Sequence, residues 1–306
     1  MSQGVVVIGD ALIDELRDDH GVREFVGGAG LNVAVGLSRL GVETTLIAMI
    51  GDDEAGGRIR SYLADYGVAV LATRSRHGSS RAVSIRSAGG EPQYQFNHAA
   101  SERWIEFGEA ERQAMAQAAV VAVSCFPFDK TTQTEDLMDA WAAGDALLAI
   151  DANPRAGMLH DRAEFVRGFE QLVPQSALIK VGDDDAQLLY GQLLEEIQPH
   201  LATLGPAAMM STQGAAGARI DTDSVARSQP ISPLPGRIID TMGAGDASFA
   251  TAVAALSRGM PEGADTWGAI LHEAMDNAAA TCRFEGALLR RPAELSAVDH
   301  ADSIGT

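Results

Sequence analysis

Apolar residues recur along the chain in two rhythms. "GVVVIG" (4–9), "TTLIAMIG" (44–51), "AVVAVS" (119–124), "ALLAID" (146–151) and "ALIKV" (177–181) are short, nearly unbroken apolar runs. That is the pattern of strands buried on both faces. Between them the spacing lengthens to three and four residues. "AGLNVAVGLSRLG" (29–41) is a helix ending at Gly41, and a second helix runs from about Ala55 to Tyr66 with Gly67 after it. Further helices cover 132–143, 161–171 and 183–204, the last with a break near Gly191. "AAMMST" (207–212) and "GARID" (217–221) add strands, Arg237–Ile239 reads as one more, and 264–283 is helical. Apolar strands separated by helices predict an α/β fold, a three-layer α/β/α core around a mostly parallel sheet; the length allows one large domain or two, and with no linker in the sequence 1–306 is read as a single domain.

Two segments break the alternation. The polar stretch 15–28 and the stretch 81–99, which alternates on either side of a Gly-Gly turn, read as hairpins. Both follow core strands, so together they could form a small sheet, a lid or a dimer contact, as readily as two ordinary surface hairpins. Tyr94 and Phe96 lie in the second segment, where they could cover a ligand or simply pack.

The chain has 306 residues, 46% of them hydrophobic, enough to bury a large core and too apolar for extensive disorder. No apolar run is long enough to span a bilayer, and the start "MSQGVVVIGD" has no basic stretch ahead of its apolar run, unlike a signal peptide. Cys125 and Cys282 stand in no metal-ligand spacing, and the expectation is two free thiols in a reducing cytoplasm. With 23 basic and 42 acidic residues the formal charge is −19, which argues against nucleic acid or an anionic membrane as partner. An anionic ligand must therefore be held by local dipoles, an Arg or a metal.

Ligands of open parallel sheets bind beyond the carboxyl ends of the strands. The unusual chemistry falls there: Asp14, "DANPR" (151–155), Lys180 to Asp185, "TQG" (212–214) and Asp240 to Asp246. In "DTMGAGDASFA" (240–250) small residues lead into an Ala-rich helix whose first turn contains Asp246. The bare N–H groups of such a helix start favour an anion. An acid in a first turn is also an ordinary cap. The P-loop pattern and the protein-kinase signatures are absent, and "GGAGLNVA" is not GxGxxG. A helix N-terminus beside a carboxylate suits phosphoryl transfer to an alcohol: the N–H groups stabilise charge on the phosphoryl oxygens while the carboxylate takes the hydroxyl proton.

These residues resemble the ribokinase-like (PfkB-type) carbohydrate kinases. "DTMGAGD" is similar to their D-T-x-G-A-G-D signature, and "VGGAGLNVA" to G-G-x-x-x-N-x-A at Gly27, Gly28, Asn32 and Ala34. "GDALID", "MIGDDEAGGRI" and "STQGAAGA" follow the family pattern in order, from Val5 to about Gly286. The resemblance implies an ATP-dependent sugar kinase with Asp246 as base and Gly243, Ala244 and Gly245 as anion hole. Asp14, Gly28 and Asn32 would grip the sugar, with Tyr94 and Phe96 as lid residues over it. Arg155 would reach phosphate, Lys180 would lie near the ATP phosphates, and Thr212, Gly214, Gly217 and Asn277 would line the nucleotide. Magnesium would accompany ATP, and Asp240 with the carbonyl of Met242 would fit a monovalent cation such as potassium. The chain departs from the family's N-x-x-E, with Gly182 and Asp185 in those places, so Asp185 would reach magnesium through water.

"DANPR" and "GGEPQYQF" resemble fructokinases and ketodeoxygluconate kinases more than ribokinase, which favours fructose, then ketodeoxygluconate, ribose and a nucleoside. A sugar acid would call for basic groups in the lid beyond Arg81 and Arg86. A catalytically silent sugar or nucleotide sensor and a dinucleotide-dependent reductase are the rivals. An edge strand of the lid would let two chains pair as a homodimer.

Overall fold

A computed structural model describes residues 4–18, 21–85 and 93–295. The chain starts with β1 (Val5–Gly9), β2 (Leu12–Asp18), β3 (Gly21–Gly27), α1 (Ala29–Arg39), β4 (Thr44–Ile50) and α2 (Glu54–Asp65). It continues through β5 (Ala69–Arg74), β6 (Ser80–Ile85), β7 (Gln93–Phe96), the single turn α3 (His98–Ser101), α4 (Glu109–Gln117), β8 (Val120–Ser124) and α5 (Thr131–Trp141). Then come β9 (Leu147–Asp151), α6 (Arg162–Leu172), β10 (Leu178–Gly182), α7 (Asp183–Tyr190), α8 (Leu194–Thr203) and β11 (Met209–Thr212). β12 (Ala218–Asp221), β13 (Ala226–Gln229), α9 (Ala244–Leu256) and α10 (Gly263–Thr281) complete it.

The larger sheet runs β13-β12-β11-β10-β9-β8-β1-β4-β5, parallel from β11 to β5 with an antiparallel hairpin at one edge. Its strands are apolar throughout because helices cover both faces. In β1, Val5 and Val7 point into a core shared with α1, α2, α9 and α10. Val6 and Ile8 point the other way, to α4, α5, α6, α7 and α8. This is the three-layer α/β/α architecture the alternation predicts.

The polar segments form one second sheet, ordered β3-β2-β6-β7. β2 pairs with β6 in parallel, Leu12 opposite Ser80, so the two insertions are joined edge to edge. The segment begins at Leu12 rather than 15, which places Asp14 inside a strand. The Gly-Gly turn and Arg86 lie outside the described residues.

One expected strand is not formed. Arg237–Ile239 is unpaired, with Ile238 64% and Ile239 50% exposed. The β12–β13 hairpin already occupies that edge of the sheet. The run is instead tied to the end of α10, where the Ile239 N–H donates to the Cys282 carbonyl at 2.8 Å. β5 and β13, which carry exposed residues, lack the continuous apolar signature and escape pattern reading. Among the described residues no helix is long and apolar enough to cross a membrane.

Candidate active site

Everything of interest gathers at the carboxyl ends of β1, β8, β9, β10 and β11, where α9 begins. Gly243 caps α9 with φ 77°, and a Cβ there would come within 2.6 Å of Ala287 Cα. Only glycine fits. The first helical bond runs from the Ala247 N–H to the Gly243 carbonyl at 2.8 Å, which leaves the Gly245 and Asp246 N–H groups without a partner in the helix. The helix start that the sequence predicts is thus present, with these two N–H groups free of helical partners.

Asp246 lies in that first turn, 7% exposed. Each of its oxygens faces a side-chain amide. Asn32 Nδ2 donates to Oδ2 at 2.8 Å, and Asn153 Nδ2 approaches Oδ1 at 3.4 Å. Burial pushes its carboxyl up to about 6, and the Asn32 hydrogen bond, Arg155 and Lys180 restrain the rise. A base with that affinity is mostly ionised near neutrality and still able to hold a proton.

Asn32 reaches Asp246 because small residues let its helix come close. A Cβ on Gly30 would meet Gly9 Cα at 2.7 Å, and one on Gly36 would meet Ala250 Cβ at 3.1 Å. α1 therefore packs against the end of β1 and against Ala-rich α9. Gly28 starts α1 with φ 106°, a conformation that favours glycine.

Asp14, on β2, faces the same region. A side chain at Gly27 would strike its Oδ2. Burial raises Asp14 to about 7, reinforced by Asp10 and Asp246 and opposed by Arg155. Asp10 escaped the motif reading. Its carbonyl accepts from the Leu31 N–H at 3.0 Å and its Oδ1 from the Gly30 N–H at 3.1 Å, so it caps α1 from the end of β1. Burial raises its carboxyl too, against the Gly30 N–H, Arg103 and Arg155. A single acid directly after a strand carries no local signature, so no motif singles it out.

On the other side of Asp246, Lys180 Nζ donates to Asp151 Oδ1 at 2.9 Å, with both side chains buried. Asp185 turns back onto its own helix start, Oδ2 accepting from the Gly182 N–H at 2.8 Å. Burial raises it, against the pull of Lys180. Thr212 pairs with Gly182 across β10–β11, and Gly214 (φ 49°) and Gly217 (φ 99°) shape the next turn. Arg155, exposed as a residue, acts electrostatically on Asp246, Asp10, Asp14 and Asp185. Asp240 accepts the N–H groups of Met242 at 3.1 Å and Gly286 at 3.3 Å, one on each oxygen.

Of the remaining residues named from the sequence, one sits apart from this cluster and one packs beside it. Asn277 is 2% exposed and donates to Thr251 Oγ1 at 3.0 Å within the α9–α10 contact. Phe96 packs against Ala29, Ala100, Cys125 and Met158, with Gly157 beside it. The side chain of Tyr94 lies outside the described residues.

The fit to the groups that phosphoryl transfer requires can be read from these contacts. Gly245 leaves the space in front of Lys180 open, a Cβ there standing 3.5 Å from Nζ. N–H groups without helical partners beside a buried ammonium are the kind of donors that a phosphate takes. Asp185 has no hydrogen bond to its second oxygen among the described residues, and suits a hard cation.

A family model described as pfkB family carbohydrate kinase matches residues 2–281. An ATP-dependent 6-phosphofructokinase of Thermoanaerobacterium thermosaccharolyticum is 23% identical over 83% of this chain and 82% of its own. A fructokinase of Klebsiella pneumoniae is 27% identical over 86% and 87%. Among solved structures, a fructokinase of Xylella fastidiosa with bound ATP superposes with a TM-score of 0.80 at 17% identity, covering 99% of this chain and 100% of that one.

Proposed function

Because this chain belongs to the pfkB family of carbohydrate kinases, and is therefore a sugar kinase, we propose that it phosphorylates a primary hydroxyl of fructose with ATP. The observation that carries the proposal is the position of Asp246. A buried carboxylate, clamped by amides, stands in the first turn of a helix whose free N–H groups face the same space as Lys180. Asp246 takes the hydroxyl proton. The Gly245 and Asp246 N–H groups, with Lys180 and Arg155, stabilise charge on the transferred group. Asp14 and Asn32, with Gly28 between strand and helix, hold the sugar's other hydroxyls.

Magnesium, held by Asp185 through water, would supply further neutralisation of phosphate charge. Thr212, Gly214 and Gly217 form the nucleotide's border, and Asn277 supports it from within the helix pair. Asp240 and the Met242 carbonyl would offer oxygens to a monovalent cation such as potassium, since each Asp240 oxygen accepts one N–H group and keeps a further lone pair.

The four-stranded sheet acts as a lid of a single domain, with Phe96 and Tyr94 on its edge strand β7. Closing it over the sugar excludes water and limits ATP hydrolysis. The free edge of β3, where Val22 is 62% exposed, is where a second copy would pair. Two free cysteines suit a cytoplasmic location, and the charge of −19 argues against nucleic acid or an anionic membrane as partner.

The test is ADP release with ATP and magnesium across fructose, fructose 6-phosphate, ketodeoxygluconate, ribose, glucose and adenosine, with Asp246→Asn alongside. Turnover with fructose that the variant loses by about 10²-fold or more supports the reading. Turnover with another acceptor corrects the substrate. Acceptor binding without turnover marks a sensor.

A further inference from the structure

We infer that Asn153 is a positioning residue that locks the base Asp246 into one frame with the Asp151–Lys180 ion pair. The inference rests on the kinase reading above only for the consequence of that locking; the locking itself is a matter of geometry.

Asn153 stands two residues beyond the end of β9, 7% exposed. Its backbone has φ 39°, a left-handed conformation that asparagine tolerates better than most residues. Its side chain is thereby turned back over the strand ends. The amide nitrogen lies 3.4 Å from Asp246 Oδ1 and 3.3 Å from Ser124 Oγ. An amide has two N–H groups and the geometry uses both. Ser124, the last residue of β8, is 3.5 Å from Asp151 Oδ2 through its hydroxyl. Asp151 Oδ1 accepts from Lys180 Nζ at 2.9 Å.

The polarity of this chain is forced. A carboxylate and a hydroxyl already donating its proton both call for a donor, so Asn153 must present nitrogen and not oxygen. The result is a buried path Asp246–Asn153–Ser124–Asp151–Lys180 across three neighbouring strand ends, with Asn32 closing the far side of Asp246. The base and the lysine that faces the anion hole are thus set by one connected network. The contacts made by Asn153 and Ser124 are long, which makes the base sensitive to any shift of the β9 end.

The function so far assigned to this segment belongs to Arg155, two residues on. Asn153 touches neither acceptor nor nucleotide in this scheme. It acts through Asp246 by donating to the ionised form, so removing the amide makes the carboxylate harder to ionise. The charged groups that act on Asp246 are Arg155, Asp151 and Lys180; Asp246 in turn raises Asp14 and Cys125, and none of these groups changes in the variants below.

The discriminating substitution is Asn153→Gly. Glycine accepts φ 39° without strain and deletes only the amide. Asn153→Asp keeps the shape and replaces the donor by a second carboxylate. Two measurements are made on the full chain: turnover against pH, and titration of the Asp246 carboxyl by 13C NMR, assigned with Asp246→Asn. In Asn153→Gly we expect kcat to fall about tenfold or more with KM for ATP unchanged, a shift of reacting geometry being enough for such losses. The acid limb of kcat and the Asp246 titration both move to higher pH, and move further in Asn153→Asp. An unmoved titration midpoint in both variants overturns the inference, whatever their stability. The NMR readout needs no substrate: wild-type protein inactive on every acceptor defeats the kinase reading while the midpoint still decides this one.

Discussion

Gly245 lies beside Lys180: a Cβ added to the glycine would lie 3.5 Å from Nζ and 3.8 Å from Cε. That is ordinary van der Waals contact, so the fold tolerates the extra carbon. In the proposed reaction the transferred phosphate lies against this helix start, where the added methyl would crowd it. Gly245→Ala should lower kcat/KM for ATP by about 10²-fold, the scale of losing one preorganised anion contact. Its melting temperature should hold or rise, since alanine is favoured over glycine in a helix by up to ~1 kcal/mol. Kinetics and thermal unfolding on the same preparation separate the two; an unaltered kcat/KM would show that phosphate does not pass there.

Lys180 has a second duty, to neutralise Asp151. Both are buried, at 5% and 0% exposure, so breaking the pair strands a charge in the interior. Lys180→Met should cost about 3–5 kcal/mol of stability. The double replacement Lys180→Met with Asp151→Leu should recover most of that in urea unfolding, because an apolar pair avoids desolvation altogether. Activity should not return with stability. If it does, Lys180 serves the fold and not the phosphate.

Much of this site is legible in the chain, for physical reasons that differ from residue to residue. Asp246 and the glycines before it could be found because a helix start that binds an anion requires small residues at fixed offsets. Asn32 could be placed because it stands at a fixed offset after Gly27 and Gly28 near a helix start, and a helix interior disfavours asparagine. Asp10 could not, since a single acid after a strand has no local signature; only Gly30, twenty residues on, reveals its task. Asn153 was visible within "DANPR" but its role depends on a left-handed backbone and on Ser124 from another strand. Arg237–Ile239 looked like a strand because isoleucine favours strands, and tertiary context overrode that preference by closing the sheet edge with a hairpin. The parallel joining of β2 to β6 likewise depends on a pairing over more than sixty residues of chain, which periodicity does not encode.

The order of their proton affinities separates Asp14 from Asp246. Asp14 is raised to about 7, with the Asp246 charge among the causes, and Asp246 to about 6. Asp14 is therefore mostly protonated while Asp246 titrates, so Asp14→Asn should leave the acid limb of kcat near 6. The KM for the acceptor should rise, since Asn cannot supply the two-oxygen carboxylate that Asp14 becomes at higher pH. A pH profile at saturating acceptor checks the first effect and a titration of acceptor the second. A limb that falls by a full pH unit would mean that Asp14 is already ionised while the base titrates.

The cost of keeping Asp246 buried should appear in the stability of the protein. Its carboxyl is raised from the ordinary 3.8 to about 6 in the folded state, with desolvation the leading cause. Between those values the folded protein binds a proton that the unfolded chain does not. Stability attributable to this group therefore falls as pH rises through that window, and the full penalty is in place above it. The size is about 3 kcal/mol, from roughly 1.4 kcal/mol for each tenfold change in proton affinity. Asp246→Asn cannot ionise and escapes the penalty, though it presents an N–H where an amide donor of Asn32 or Asn153 wants an acceptor, at about 1–3 kcal/mol. That second effect is independent of pH. The difference in unfolding free energy between Asp246→Asn and wild type should thus grow in the variant's favour from pH 4 to pH 7 by an amount the constant contribution cannot alter. Urea unfolding at four or five pH values measures it, and a difference that stays flat would show that Asp246 is ionised in the fold at no cost, as an ordinary helix cap would be.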